Sequence, residues 1–186
     1  MKIIKGTEVR SKSWGGGNTT ELYIYPIGSS YINKDFKFRL SKATIEIEES
    51  SFTKLNAVKR ELMVLKGKLN LIHENKYKIL LKPFESDKFN GHWLTTSNGL
   101  AEDFNLMMLG NTEGYLEHIS SEKSNKVIIE KSCDIIAVFC ANGSASLNFE
   151  NLAAEDLAVI EPSTKQIELI LQPNTNLIIV RIWLNN

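Results

Sequence analysis

The chain has 186 residues, with 22 Lys+Arg balanced by 22 Asp+Glu, so its formal net charge is zero. That length lies between one large domain and two small ones and can bury a core without disulfide or metal staples. The charge balance argues against a nucleic-acid partner, which is usually met by a basic excess, and apolar runs such as 135–139 fall far short of the roughly 20 residues that span a membrane.

In chain order, the opening MKIIKGTEVRSKSWGGG holds no apolar run of signal-peptide length, so a cytoplasmic chain is expected. TELYIYP (20–26) alternates as a strand, with Leu22 and Ile24 on one face and Glu21, Tyr23 and Tyr25 on the other. FKFRLSKATIEIE (36–48) alternates too, setting Phe36, Phe38 and Leu40 opposite Arg39, Ser41 and Ala43. RELMVLKGKLNLIHE (60–74) reads as two strands hinged at Gly67. Further strands are predicted at KYKILL, DFNLMML, KVIIE, DIIAVFC, SASLNF, LAVIE, QIELIL and NLIIVRIWL. A short helix is allowed from Ser51 or over 151–158. About a dozen strands without a long helix indicate an all-β sandwich or barrel.

An internal echo suggests two similar β units. Gly67 and Gly143 are 76 positions apart, as are the Glu-Asn pairs at 74–75 and 150–151, and each glycine follows an apolar strand and precedes an alternating one. The polar stretch 114–126 is too short for a free tether. Cys133 and Cys140 fall in one predicted strand, on opposite faces and about 23 Å apart, too far for a disulfide. Both read as buried reduced thiols.

Three segments carry a family resemblance. SWGGGNTTELYIYP resembles the W-x-G-G-x-T-x-E-L signature of the HutD/Ves family, although Asn18 stands where a hydroxyl residue is expected. FKFRLSKATIEIEESSFTKLNAVKRELMVLKG resembles the family's F-x-x-R-x-S-x-A strand, its S-x-F-[ST] turn and its R-x-L-x-[VI]-L-x-G strand. EDFNLMML resembles its D-F-N-L-M motif. The resemblance implies two fused cupin-like (RmlC-like jelly-roll) barrels with little helix. The expected lobes are 1–120, carrying the motifs, and 121–186, packed into one bicupin unit. A homodimer formed through sheet edges is compatible with that fold. It also implies a link to histidine utilisation or stress response, without a defined reaction.

A metal-dependent cupin requires a His-x-His pair with a further His and a carboxylate. His73, His92 and His118 are scattered and read as surface or turn residues, so neither metal nor cofactor is expected. No phosphate loop is read in Trp14-Gly15-Gly16-Gly17, because a strand follows instead of a helix; a tight turn that lets the backbone pass close to a packed neighbour, or else to the ligand, is expected, with packing the favoured reading. The candidate site is the set Trp14, Glu21, Arg39, Ser41, Arg60, Asp103 and Asn105, with no catalytic residue assigned. Inward guanidinium groups need carboxylate partners, for which Glu21 and Asp103 are the internal candidates in a network tying the barrel together, or an anionic ligand, and Asn105 both donates and accepts. Trp14 or Phe104 would close the apolar side. The expected function is non-enzymatic binding of a small carboxylated metabolite by a sensor or regulator. The alternative is a metal-independent enzyme using Glu21 or Asp103 in acid–base chemistry.

Overall fold

The computed structural model describes residues 1–130, 132–161 and 166–185, and among them every regular element is a strand. In chain order these are β1 (Lys2–Ile4), β2 (Ser11–Trp14), β3 (Gly17–Tyr25), β4 (Phe38–Ile45), β5 (Glu49–Ser51), β6 (Val58–Gly67), β7 (Leu69–His73), β8 (Tyr77–Leu81), β9 (Ser86–Asn90) and β10 (Thr95–Asn98). They continue with β11 (Ala101–Leu109), β12 (Glu113–Ser121), β13 (Asn125–Glu130), β14 (Ile135–Asn142), β15 (Ser144–Leu147), β16 (Glu150–Ala153), β17 (Leu157–Ile160), β18 (Gln166–Leu171) and β19 (Thr175–Trp183). The two allowed helices are absent. The segment from Ser51 supplies the end of β5 and a turn before β6, and 151–158 is divided between β16, a turn and β17.

Two compact units emerge, Arg10–Thr112 and Met1–Val9 with Glu113–Asn186. The first holds the sheets β2-β3-β4-β11-β6-β9 and β5-β10-β7-β8. The second holds β1-β17-β14-β19-β12 and β13-β18-β15-β16. Raising each number in β4-β11-β6-β9 and β5-β10-β7-β8 by eight reproduces the order in the second unit. Each unit is thus one eight-stranded jelly roll, with β2 and β3 added to one and β1 to the other. Gly67 and Gly143 mark the equivalent corner where the chain leaves the larger sheet for the smaller, and both adopt φ of +80°. The Glu-Asn half of the echo does not correspond: Glu74 and Asn75 form a turn, whereas Glu150 and Asn151 begin β16.

The expected division at residue 120 moves for two reasons. Residues 113–121, read as a polar connection, form β12 and pair along their whole length with β19. The first strand of the chain pairs with β17, Ile3 opposite Ala158, and is held by Asp156, which accepts from Lys5 Nζ at 2.8 Å and Gly6 N at 3.0 Å.

Two face assignments also change. A bulge between Glu21 and Tyr23 against β4 takes Leu22 out of register, so Tyr23 and Tyr25 pack on Phe38, with ring centroids 5.8 and 5.4 Å away, on the face opposite Glu21. Cys133 precedes β14 rather than lying in it. Both cysteines are therefore buried in the same aliphatic cluster, with Ile136, Val138 and Leu177, instead of on opposite faces.

Candidate functional site: a polar cavity in the first jelly roll

The alternation of β4 decides the character of the first unit's interior. Arg39, Ser41, Ala43 and Ile45 all line one cavity of about 680 Å3, as do Arg60 of β6 and Asp103, Asn105 and Met107 of β11. Trp14 of β2 and Glu21 of β3 complete the predicted set, so all seven predicted side chains line this cavity. Cross-strand register orders them in rows. Arg39, Met107 and Arg60 face one another; Glu21, Ser41 and Asn105 form the next row; Thr19, Ala43 and Asp103 the next; and Gly17 with Ile45 the last.

The two arginines are held differently. Arg39 donates from Nε to Glu21 Oε2 at 2.7 Å and from a terminal nitrogen to Ser41 Oγ at 3.1 Å, with its guanidinium 4.7 Å from the Tyr31 ring. Glu21 is 44% exposed at its side chain, so this pair stands at the edge of solvent. Arg60 is buried against the edge-to-face pair of Phe52 and Phe89, 4.8 and 5.2 Å from their centroids. It donates to Asn105 Oδ1 at 3.1 Å, and its Nε has no partner. No carboxylate among the described residues reaches it within salt-bridge distance. Burial lowers its pKa to about 10, against the opposing fields of Asp103 and Tyr31. Asp103, buried too, accepts from the Asn105 amide. Desolvation pushes its carboxyl up to about 7, with Arg60 holding it back from rising further. Near neutral pH the site therefore contains a buried cation beside a carboxyl only partly ionised.

The second jelly roll supplies an internal control. Arg60, Asn105 and Asp103 pair with Met107, Leu62 and Val64. In the second unit the corresponding pairs are Ile136 with Arg181, Ile179 with Val138 and Leu177 with Cys140. Ile136, Ile179 and Leu177, which stand where Arg60, Asn105 and Asp103 stand, belong to a buried aliphatic cluster. The same framework is built there without the polar trio, so the fold does not require it.

Other expectations need correction. Phe104 is buried on the opposite face of β11 and does not line the cavity, which leaves the apolar role to Trp14. His73 is no surface residue: it is buried, its Nδ1 2.9 Å from Thr95 Oγ1 and its Nε2 2.8 Å from Asp87, with Tyr77, Phe89 and Trp93 around the ring. The Tyr77 hydroxyl also donates to Asp87, and burial with that bond raises its pKa to about 12. His118 Nε2 lies 2.7 Å from Asn176 Oδ1, and His92 is exposed beside Trp93. None of the three lines the cavity. Tyr31, Phe52 and Phe89, which flank the arginines, were not in the predicted set; Phe52 is the aromatic residue of the S-x-F-[ST] turn, whereas Tyr31 and Phe89 carried no signal beyond apolar character in a loop and an edge strand.

A family model described as HutD matches residues 6–179. The chain belongs to the HutD family. No curated protein matches it. Among solved structures, a conserved protein of unknown function from Pseudomonas aeruginosa PAO1 superposes with a TM-score of 0.84 at 20% identity, covering 98% of each chain. HutD from Pseudomonas fluorescens SBW25 gives 0.79 at 17% identity, over 98% of this chain and 97% of that one. A cupin 2 conserved barrel domain protein from Leptotrichia buccalis gives 0.59 at 9% identity, over 97% and 96%. At these identities the likeness establishes the fold, which is all-β and cupin-like.

The HutD-like motifs acquire physical reasons. In the Trp-Gly-Gly-Gly hairpin, a Cβ on Gly16 would collide with the Trp14 ring and with Ile47 Cδ1, and one on Gly17 with the Thr44 carbonyl. The glycines serve close packing, as expected. Asn18 fills the place of a hydroxyl residue by accepting from Ser13 Oγ at 2.7 Å and donating to Glu46 at 3.1 Å. Asp-Phe-Asn in β11 sends two polar side chains to the cavity and one ring away from it.

Proposed function

We propose that this HutD-family protein binds a small carboxylated metabolite without transforming it, as a sensor or regulator of amino-acid catabolism; the family supplies the link to histidine utilisation. The observation that carries this reading is Arg60, a buried guanidinium in a cavity with one amide partner and no carboxylate in contact among the described residues. A buried cation left in that state is costly, and an anion accepting from its free N–H groups would offset the cost. Asn105 and Ser41 offer neutral donors and acceptors for an amide or amino group on the same ligand. The second jelly roll, which does without the trio, makes a purely structural need for it less economical.

A second reading rests on Asp103. A buried carboxyl titrating near 7 in the wall of a cavity is suited to general acid–base work. Glu21 is less suited, because it is partly exposed and tied to Arg39. Turnover of a bound metabolite that is lost in Asp103→Asn would favour this enzyme reading over the binder.

The decisive measurement is a thermal-shift screen of small carboxylates and their neutral amides. A true ligand at 100 times its Kd stabilises by about 2.7 kcal/mol, a rise of roughly 5–10 °C for a chain of this size. Arg60→Met is expected to abolish the shift while retaining the fold. A screen in which carboxylates shift the melt no more than their amides removes the basis for the proposal.

A further inference from the structure

The order of the rows says more about the ligand than that it is an anion. Both guanidinium groups lean the same way along the sheet: Arg39 bonds to Ser41 and Arg60 to Asn105, so the cationic heads meet at the Ser41–Asn105 row. Beyond it the cavity wall changes character. The next row presents Ala43 and Thr19 beside Asp103, with the exposed Lys12 opposite Thr19, and the one after presents Ile45, opposite Gly17. Gly17 is the hairpin partner of Trp14, whose ring closes with Ile47 over Gly16. Trp14 and Ile47 are 40% and 39% exposed. From Ser41 to Ile45 is four residues of strand, about 13 Å. The wall thus runs from the buried cationic row, past Asp103 on one side and the exposed Lys12 on the other, to an apolar and partly open end at Ile45 and Trp14.

Resting on the carboxylate-binding reading, we propose that the ligand is an elongated amphipathic carboxylate, its anionic head at Arg39, Arg60 and Asn105 and an acyl or aryl body lying along Ala43 and Ile45 onto Trp14. A formate- or acetate-sized ion would leave most of a cavity of about 680 Å3 and the whole apolar end unused. Arg10 and Lys12 also line the cavity. Both are exposed, so their charges remain hydrated and attract anions without demanding a second one on the ligand.

The test is calorimetric titration of the full chain with n-alkanoates from acetate to octanoate, with 3-phenylpropionate, with the alcohols of the same lengths, and with α,ω-dicarboxylates of matched length. The expected result is a Kd that tightens about fourfold per added methylene until the tail reaches Trp14, with little binding of the alcohols. Trp14→Ala and, independently, Ile45→Thr flatten the chain-length dependence for the long members and leave acetate unchanged. Arg60→Met weakens every carboxylate. Affinity that depends on Arg60 but not on chain length overturns the amphipathic ligand and leaves the carboxylate reading standing. Tighter binding of dicarboxylates than of matched monocarboxylates overturns it as well, in favour of a second anion at Arg10 and Lys12. Absence of binding by every carboxylate overturns both readings.

Discussion

Asp103 and Arg60 are near neighbours whose environments act on them in opposite senses. Burial lowers the arginine's pKa and raises the carboxyl's, because each charged form loses hydration. For Asp103 the sign of the pH dependence follows directly. Its folded value, about 7, lies above the value near 3.9 of an unfolded chain. The folded state therefore binds more protons between those limits, and stability falls as pH rises through them. Asp103→Asn keeps an acceptor and a donor without the charge. It is expected to stabilise the protein at pH 8 by roughly 2–4 kcal/mol and to do little at pH 4, as checked by urea unfolding at both values. Alternation made the inward direction of Arg39 and Ser41 legible in the sequence. The aromatic corner that Phe52 and Phe89 form against Arg60 was not, because the two rings come from separate segments that meet only when the sheets face each other. The burial of His73 was hidden for the same reason: its partners Thr95 and Asp87 lie on two other strands.

At the scale of elements, bulges and turns decide what alternation alone cannot. The bulge at Leu22 reverses the facing of Tyr23 and Tyr25 relative to a simple period of two. At the tip of the β15–β16 hairpin, Asn148 and Phe149 have φ of +46° and +73°, and the Phe149 ring is 93% exposed. Two positive φ values in a two-residue hairpin suit Asn-Gly far better than Asn-Phe. Phe149→Gly is expected to stabilise by about 0.5–1 kcal/mol, read as a shift in the urea midpoint at constant slope. Asp156 does the opposite service, joining two elements. Its burial is outweighed by Lys5 and by the Gly6 and Ala153 amides, which hold its carboxyl below the ordinary value. Asp156→Ala leaves those donors without their acceptor, at a cost of about 2–3 kcal/mol. Protease cleavage within the first nine residues should accelerate well before global unfolding.

Across the whole molecule, the chain writes one strand order twice and fills it two ways, with a polar cavity beside an aliphatic cluster around Leu62 and Val64 in one unit, and aliphatic side chains in place of the polar trio in the other. Cys140 lies in the aliphatic filling, where burial, assisted by the nearby Asp156 and Glu155, pushes its thiol up to about 12. A thiol reagent at pH 8 should leave it unmodified in the native protein and label it at the rate of unfolding; rapid native labelling would contradict the burial. Local pattern along the chain was enough for the all-β class, the facing of Arg39 and Ser41, the family and the corner glycines, since alternation, turn chemistry and short motifs are properties of neighbouring residues. Which unit claims the first strand, where bulges reverse a face, and that Arg60 meets no carboxylate among the described residues became visible once the strands were paired in space. Those depend on pairing and desolvation between segments far apart in sequence, and no local pattern carries that information.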